Sequence, residues 1–330
     1  MPRPGHPATP PSPGPARPVA PAGPPSRPPS AGRAAFPPEL LAPPDPARLP
    51  LPVAARPNPG VRLLRGAVYG VPDGSRPLEA DLWLPEAAAD PVPVVVFVHG
   101  GAWRTGLRDD LGPRFRHWSP GPFARLVQAG FAVVCPDYRL SGEAVHPAQR
   151  DDLHALLGWL HGRAAELGVD TGRTVLWGES AGGHLAALAA LTAPRNTATV
   201  RGCAVWYAPS DLTRIFEDRA QGHGGPSDPT TFEALLIGAA PAAAPARARD
   251  AGPVAHVTPG APPFLVLHGT DDTIVPRAQG ERLTAALRQA GVPVDFRPVP
   301  GADHLWAGLD DAGVERCFTT TLDFAARCVR

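Results

Sequence analysis

The chain contains no lysine: its 31 basic side chains are all arginine, matched by 31 acidic ones for a formal net charge of +0. Such a balance gives no pull toward nucleic acid or an anionic membrane surface. The all-arginine basic set reads as codon composition rather than function. No apolar run approaches the ~20 residues of a membrane span. No charged start followed by an apolar stretch marks a signal peptide. The four cysteines, Cys135, Cys203, Cys317 and Cys328, lack C-x-x-C spacing. Cys135 and Cys203 fall inside apolar strand-like runs, where free thiols are ordinary. Four reduced thiols and a cytoplasmic setting are therefore expected. H-E-x-x-H is absent, as is any cysteine/histidine cluster, so no metal is expected. GESAGG lacks the glycine spacing of a dinucleotide fingerprint, and no cofactor is implied.

What is abundant is proline, and it is unevenly placed. Nearly half of the 46 prolines fall in residues 1–59, among alanine, serine, glycine and scattered arginine. That composition cannot bury enough apolar surface to offset ordering entropy, so a disordered segment is predicted there. Residues 60–330 read differently. Their hydrophobic periodicity is that of strands, then of strands alternating with helices. Strands are predicted at Val61–Tyr69, Leu78–Leu84, Pro93–Val98, Phe131–Cys135, Thr174–Trp177, Val200–Trp206, Phe264–Leu267 and Val294–Val299. Helices are predicted at Pro122–Gly130, Ala148–Leu167, after Ser180, at Pro276–Ala290 and at Gly313–Cys328. The alternation implies a mostly parallel sheet with helices on both faces, whose sites lie at the carboxyl ends of the strands. Between residues 211 and 256 the alternation breaks, which predicts a small cap insertion with short helices at Leu212–Asp218 and Thr231–Gly238.

One stretch organises the rest. Thr174-Val175-Leu176-Trp177 ends in Gly178-Glu179-Ser180-Ala181-Gly182, and the chain then turns small and apolar. Strand, abrupt turn and helix around G-x-S-x-G is the pattern of a nucleophile elbow, which raises a serine hydroxyl above the sheet. Gly178 and Gly182 mark where strand and helix backbones pass closest, leaving no room for a Cβ. The competing reading is a glycine-rich turn whose serine only caps a helix.

A nucleophilic serine needs a base, an acid to orient that base, and donors for the oxyanion. After an elbow the acid comes first in the chain and the base second. Only one histidine, His304, follows the aspartates at 271 and 272, and it lies in a loop after a predicted strand. Spacing alone leaves Asp271 and Asp272 equal. His99-Gly100-Gly101-Ala102-Trp103 follows the most buried-looking strand, so backbone amides of Gly101 and Ala102, with Ala181, are the candidate oxyanion donors. Trp103 is a candidate wall of the substrate pocket, and packing explains it equally well. His99 is read as structural, and Glu179 as an acceptor that holds the fold.

Six motifs in order, HGGAW, PDYRL followed by SGEAVHPAQRDD, GESAGGHLAA, APSDL, HGTDDTIVP and GADH, resemble the α/β-hydrolase esterase/lipase family. Within it they look like the feruloyl-esterase-like and kynurenine-formamidase-like branch. HGGAW rather than HGGG favours that branch over the lipase-like one. The resemblance covers residues 60–330 and implies an α/β-hydrolase fold. Its HGxxDxxVP pattern places the acid at Asp272. It further implies a serine hydrolase that cleaves a small-molecule ester through an acyl-enzyme on Ser180, Asp272 and His304. An arylformamidase or other amide or peptide hydrolase would use the same site. A non-catalytic binding module is the remote alternative, and it sits badly with a complete triad. Nothing in the motifs bears on oligomeric state.

Overall fold

The computed structural model describes residues 43–219 and 224–330. Most of the proline-rich segment, residues 1–42, lies outside the described residues. The folded unit begins at Pro44, earlier than the boundary at residue 60 that composition suggests. A 3-10 turn at Pro46–Arg48 precedes strand β1, Ala54–Asn58. β1 pairs antiparallel with β2, Val61–Gly70, which pairs antiparallel with β3, Leu78–Pro85. Proline is tolerated in β1 because it is an edge strand, where one side needs no donor. Trp159 Nε1 and the Arg163 guanidinium donate to the Pro46 carbonyl, and Arg163 also reaches Leu49, which fixes this lead-in against the domain.

The chain continues through β4 (Val92–Val98), helix α1 (Pro122–Gln128), β5 (Ala132–Pro136), α2 (Ala148–Gly162) and α3 (Ala164–Leu167). Next come β6 (Val169–Glu179), α4 (Ala181–Thr192) and β7 (Val200–Trp206). Three short helices follow: α5 (Ile215–Asp218), α6 (Phe232–Ile237) and α7 (Pro245–Ala251). The domain closes with β8 (Phe264–Gly269), α8 (Arg277–Gln289), β9 (Val294–Val299) and α9 (Asp311–Cys328). The single nine-stranded sheet runs β1-β2-β3-β5-β4-β6-β7-β8-β9. β3 meets β5 antiparallel, and every pairing from β5 through β9 is parallel.

Central strands are apolar without alternation because both faces are covered. In β4, Val94, Val96 and Val98 enter the core that holds α2 and α4, while Val95 and Phe97 enter the core beneath α1 and α9. α4 is buried from Ala181 to Ala190, which explains a helix that is apolar all round. The elbow strand and the long helix also differ from expectation. The elbow strand is longer than its apolar stretch, because Val169 and Asp170 pair with Val92 and Pro93. The long helix breaks after Gly162: Arg163 leaves helical geometry (φ −108°, ψ 9°) as its guanidinium turns to the lead-in carbonyls.

Candidate active site

β6 ends at Glu179, and Ser180 sits at the N-terminus of α4 with φ 51° and ψ −123°, a conformation that costs a non-glycine residue energy. Surrounding backbone enforces it. Ser180 N–H donates to the Trp206 carbonyl at 2.9 Å, and the Ser180 carbonyl accepts from His184 N–H at 3.0 Å. A Cβ on Gly178 would lie 2.2 Å from the Gly182 carbonyl oxygen, and one on Gly182 would lie 2.0 Å from that of Val98. The two glycines therefore let β6, α4 and the end of β4 converge beneath the serine.

Ser180 Oγ lies 3.0 Å from His304 Nε2, and His304 Nδ1 lies 2.8 Å from Asp272 Oδ2. Asp272 is held in the turn after β8 with its side chain fully buried. Its Oδ1 accepts the amides of Ile274 and Val275 at 3.0 and 2.8 Å. Asp271 is different: it is exposed and accepts the Thr270 hydroxyl, an ordinary turn residue. His304 follows β9 in a turn where Leu305 and Trp306 both take positive φ, at 58° and 60°. Its ring meets the Tyr207 ring edge-on at 4.7 Å.

The HGGAW loop also has left-handed backbone, with φ of 106° at Gly101, 53° at Ala102 and 57° at Trp103. Arg104 and Thr105 amides close it onto the Gly101 carbonyl at 3.0 and 3.1 Å. Gly100 N–H donates to Glu179 Oε1 at 2.6 Å, and a Cβ at Gly100 would lie 2.2 Å from that oxygen. Burial pushes the Glu179 carboxyl up to about 7. His99 is structural. Its Nδ1–H donates to the Gly100 carbonyl at 2.7 Å and its ring stacks on Tyr138 at 4.5 Å.

Gly101, Ala102, Trp103, Ser180, Ala181 and His304 line one cavity of about 470 Å³. The structure thus brings together all the residues singled out in the sequence. Trp103 is among the lining residues but is itself anchored: its Nε1–H donates to His184 Nδ1 at 3.2 Å, and it is 1% exposed. His184 Nε2–H donates to the Ala251 carbonyl at 2.7 Å. Burial lowers the His184 pKa to about 3, so the ring is neutral and its Nδ1 is free to accept. The coupling of His184 to Trp103 was not visible in the sequence, although GESAGGH carries it. Asp303 was missed too. Its Oδ1 accepts Thr273 N–H at 2.7 Å and His304 N–H at 2.6 Å, joining the Asp272 loop to the His304 loop. The cavity's far wall comes from the 211–256 segment, through Arg219, Phe232 and Glu233.

Among known proteins, the BD-FAE family profile matches residues 80–287. The chain belongs to the BD-FAE family. The matched region spans β3 through most of α8 and so carries the elbow, the HGGAW loop and Asp272, with His304 just beyond it. Two Mycobacterium tuberculosis proteins are similar to this BD-FAE chain. LipM, a probable carboxylic ester hydrolase, is 32% identical over 67% of the chain and 51% of its own length. The esterase LipQ is 33% identical over 70% and 55% respectively. The chain thus spans about half the length of the curated relatives it matches. Among solved structures, the butyrate-bound Est2 esterase of Thermogutta terrifontis is 25% identical, with a TM-score of 0.62 over 82% of this chain and 94% of that one. The shared architecture is the α/β-hydrolase fold.

Proposed function

We propose that this chain is a carboxylic-ester hydrolase that acts through an acyl-enzyme on Ser180. The observation that carries the reading is the continuous path from Ser180 Oγ through the two nitrogens of His304 to buried Asp272, beside a mostly apolar cavity open at its mouth. Asp272 accepts Nδ1–H and so keeps Nε2 free to accept a proton. As Oγ adds to the ester carbonyl carbon, its proton passes to His304 Nε2. The negative oxygen of the tetrahedral intermediate is read as facing the amides of Gly101, Ala102 and Ala181. Ala181, as the first residue of α4, has an amide with no partner in its own helix. His304 then gives its proton to the leaving alkoxide, and the alcohol departs. Water repeats the cycle on the acyl carbon, releasing the acid and restoring the serine.

A short acyl group is part of the proposal, because the cavity is modest and the related Est2 esterase holds butyrate. So is a cap role for residues 211–256, which contribute Arg219, Phe232 and Glu233 to the wall. A cytoplasmic setting is proposed on the four free thiols among the described residues. No helix of the described residues is long and apolar enough to cross a membrane. The test is turnover of p-nitrophenyl acetate, butyrate and octanoate by wild type and Ser180→Ala, with a fluorophosphonate probe alongside. Wild-type turnover and labelling, both lost in the variant, are expected. Full activity in Ser180→Ala would overturn the assignment.

A further inference from the structure

The cavity beside Ser180 is mostly apolar, and Arg104, Arg219 and Glu233 bring formal charges to its lining. There Arg219 donates to both oxygens of Glu233, Nη2 to Oε1 at 2.5 Å and Nη1 to Oε2 at 3.2 Å. Both are withdrawn from solvent, with side chains 9% and 1% exposed. This pair is neutral as a unit. Among the described residues, Arg219 Nε–H is buried without a hydrogen-bond partner. A second guanidinium, Arg104, leaves the HGGAW loop and lies over the ring of Phe232 at 5.8 Å. It forms no ion pair among the described residues. Arg104, Phe232, Glu233 and Arg219 all line this one cavity, so both guanidiniums belong to its wall.

The charges on the lining therefore do not balance: two guanidiniums face one carboxylate. The remaining acids of the site are elsewhere, Asp272 behind His304 and Glu179 behind Gly100. Low-dielectric walls around an unbalanced charge focus its field on whatever enters. Guanidinium is also the group best suited to a planar carboxylate, through parallel N–H donors.

Building on the serine-hydrolase reading, we propose that the substrate is an ester carrying a carboxylate, which is held between Arg104 and Arg219 while its hydrocarbon stem crosses Phe232. Arg104 and Arg219 are then the residues that set specificity. They select one ester from another without touching the reacting carbon.

Two pairs of esters test this, each pair differing only in carboxylate against methyl at the chain end. Monomethyl adipate against methyl hexanoate puts the charge on the acyl side. γ-Acetoxybutyrate against butyl acetate puts it on the alcohol side. At low salt, kcat/KM for the charged member of at least one pair is expected to be about tenfold the higher, as one charge-assisted contact gives. High salt should shrink that preference, because the mouth of the cavity is open to screening. Arg104→Gln, at an exposed position, should move the ratio toward one. Arg219→Met alone would strand Glu233, so the second variant is Arg219→Met with Glu233→Leu, and it too should lower the ratio. Equal or poorer turnover of the charged ester in both pairs overturns the proposal and leaves the hydrolase reading intact. So does a preference that survives unchanged in both variants. No turnover of any of the four, with no labelling by a fluorophosphonate, overturns both.

Discussion

Glu179 accepts the Gly100 amide at 2.6 Å, so the residue before Ser180 holds the HGGAW loop in place. The carboxylate fills the space a Gly100 Cβ would occupy, which fixes both partners. Glu179→Ala should release the loop and lower kcat by roughly tenfold to a hundredfold, somewhat less than deletion of an oxyanion donor itself. Glu179→Gln keeps an acceptor oxygen and should lose much less. Steady-state kinetics on a p-nitrophenyl ester separates the two.

The same residue gives a pH dependence of stability. Burial raises its folded pKa to about 7 from an ordinary 4.5, so between those values the folded state holds a proton that the unfolded state has lost. Its contribution is favourable below pH 4.5 and disappears as pH rises through about 7. Glu179→Gln has no such titration. Relative to wild type, its urea midpoint should improve steadily across that window, and a constant difference would contradict the assignment.

Convergence beneath Ser180 leaves no room at Gly182. An alanine there would push its Cβ to 2.0 Å from a backbone oxygen of β4, which no side-chain movement relieves. Gly182→Ala should cost at least about 3 kcal/mol, the upper range for overpacking. Chemical denaturation would show it, with activity lost even where the variant folds.

Trp103 and His184 form a buried donor–acceptor pair, and the histidine is neutral across the physiological range. Trp103→Phe keeps most of the ring but leaves His184 Nδ1 without its donor. The expected cost is about 1–3 kcal/mol, that of a buried acceptor left unmade. Thermal unfolding monitored at two pH values near neutrality should give the same loss, because His184 does not titrate there.

The lead-in before β2 is load-carrying. Deleting residues up to Pro59 removes β1 and strips Trp159 and Arg163 of their acceptors at Pro46 and Leu49. A chain starting at Gly60 should therefore unfold at lower denaturant than one starting at Pro43. Equal midpoints would show that β1 and its hydrogen bonds add nothing.

Those last sixteen residues also show why part of the fold was hidden. Their proline content matches the preceding segment, and composition is averaged over a window. Edge pairing depends on single hydrogen bonds that no average registers. The elbow was legible for the opposite reason: its glycines, serine and flanking strand are all dictated by local sterics, so chain order alone names Ser180 and His304. Asp272 needed the family pattern, since Asp271 beside it has the same chemistry and only the fold tells them apart. Asp303, His184 and the Arg219–Glu233 pair act across 30, 81 and 14 positions, where sequence offers no register.

Asp303 ties Thr273 to His304, and Thr273 directly follows Asp272. Two loops from different strands thus share one clasp, and they should come undone as one event rather than two. Amide protons of Thr273 and His304 would then exchange with solvent at matching rates, set by a single opening of the clasp. On the proposed mechanism, the acid and the base would then be gained and lost together, dividing the molecules into competent and silent ones.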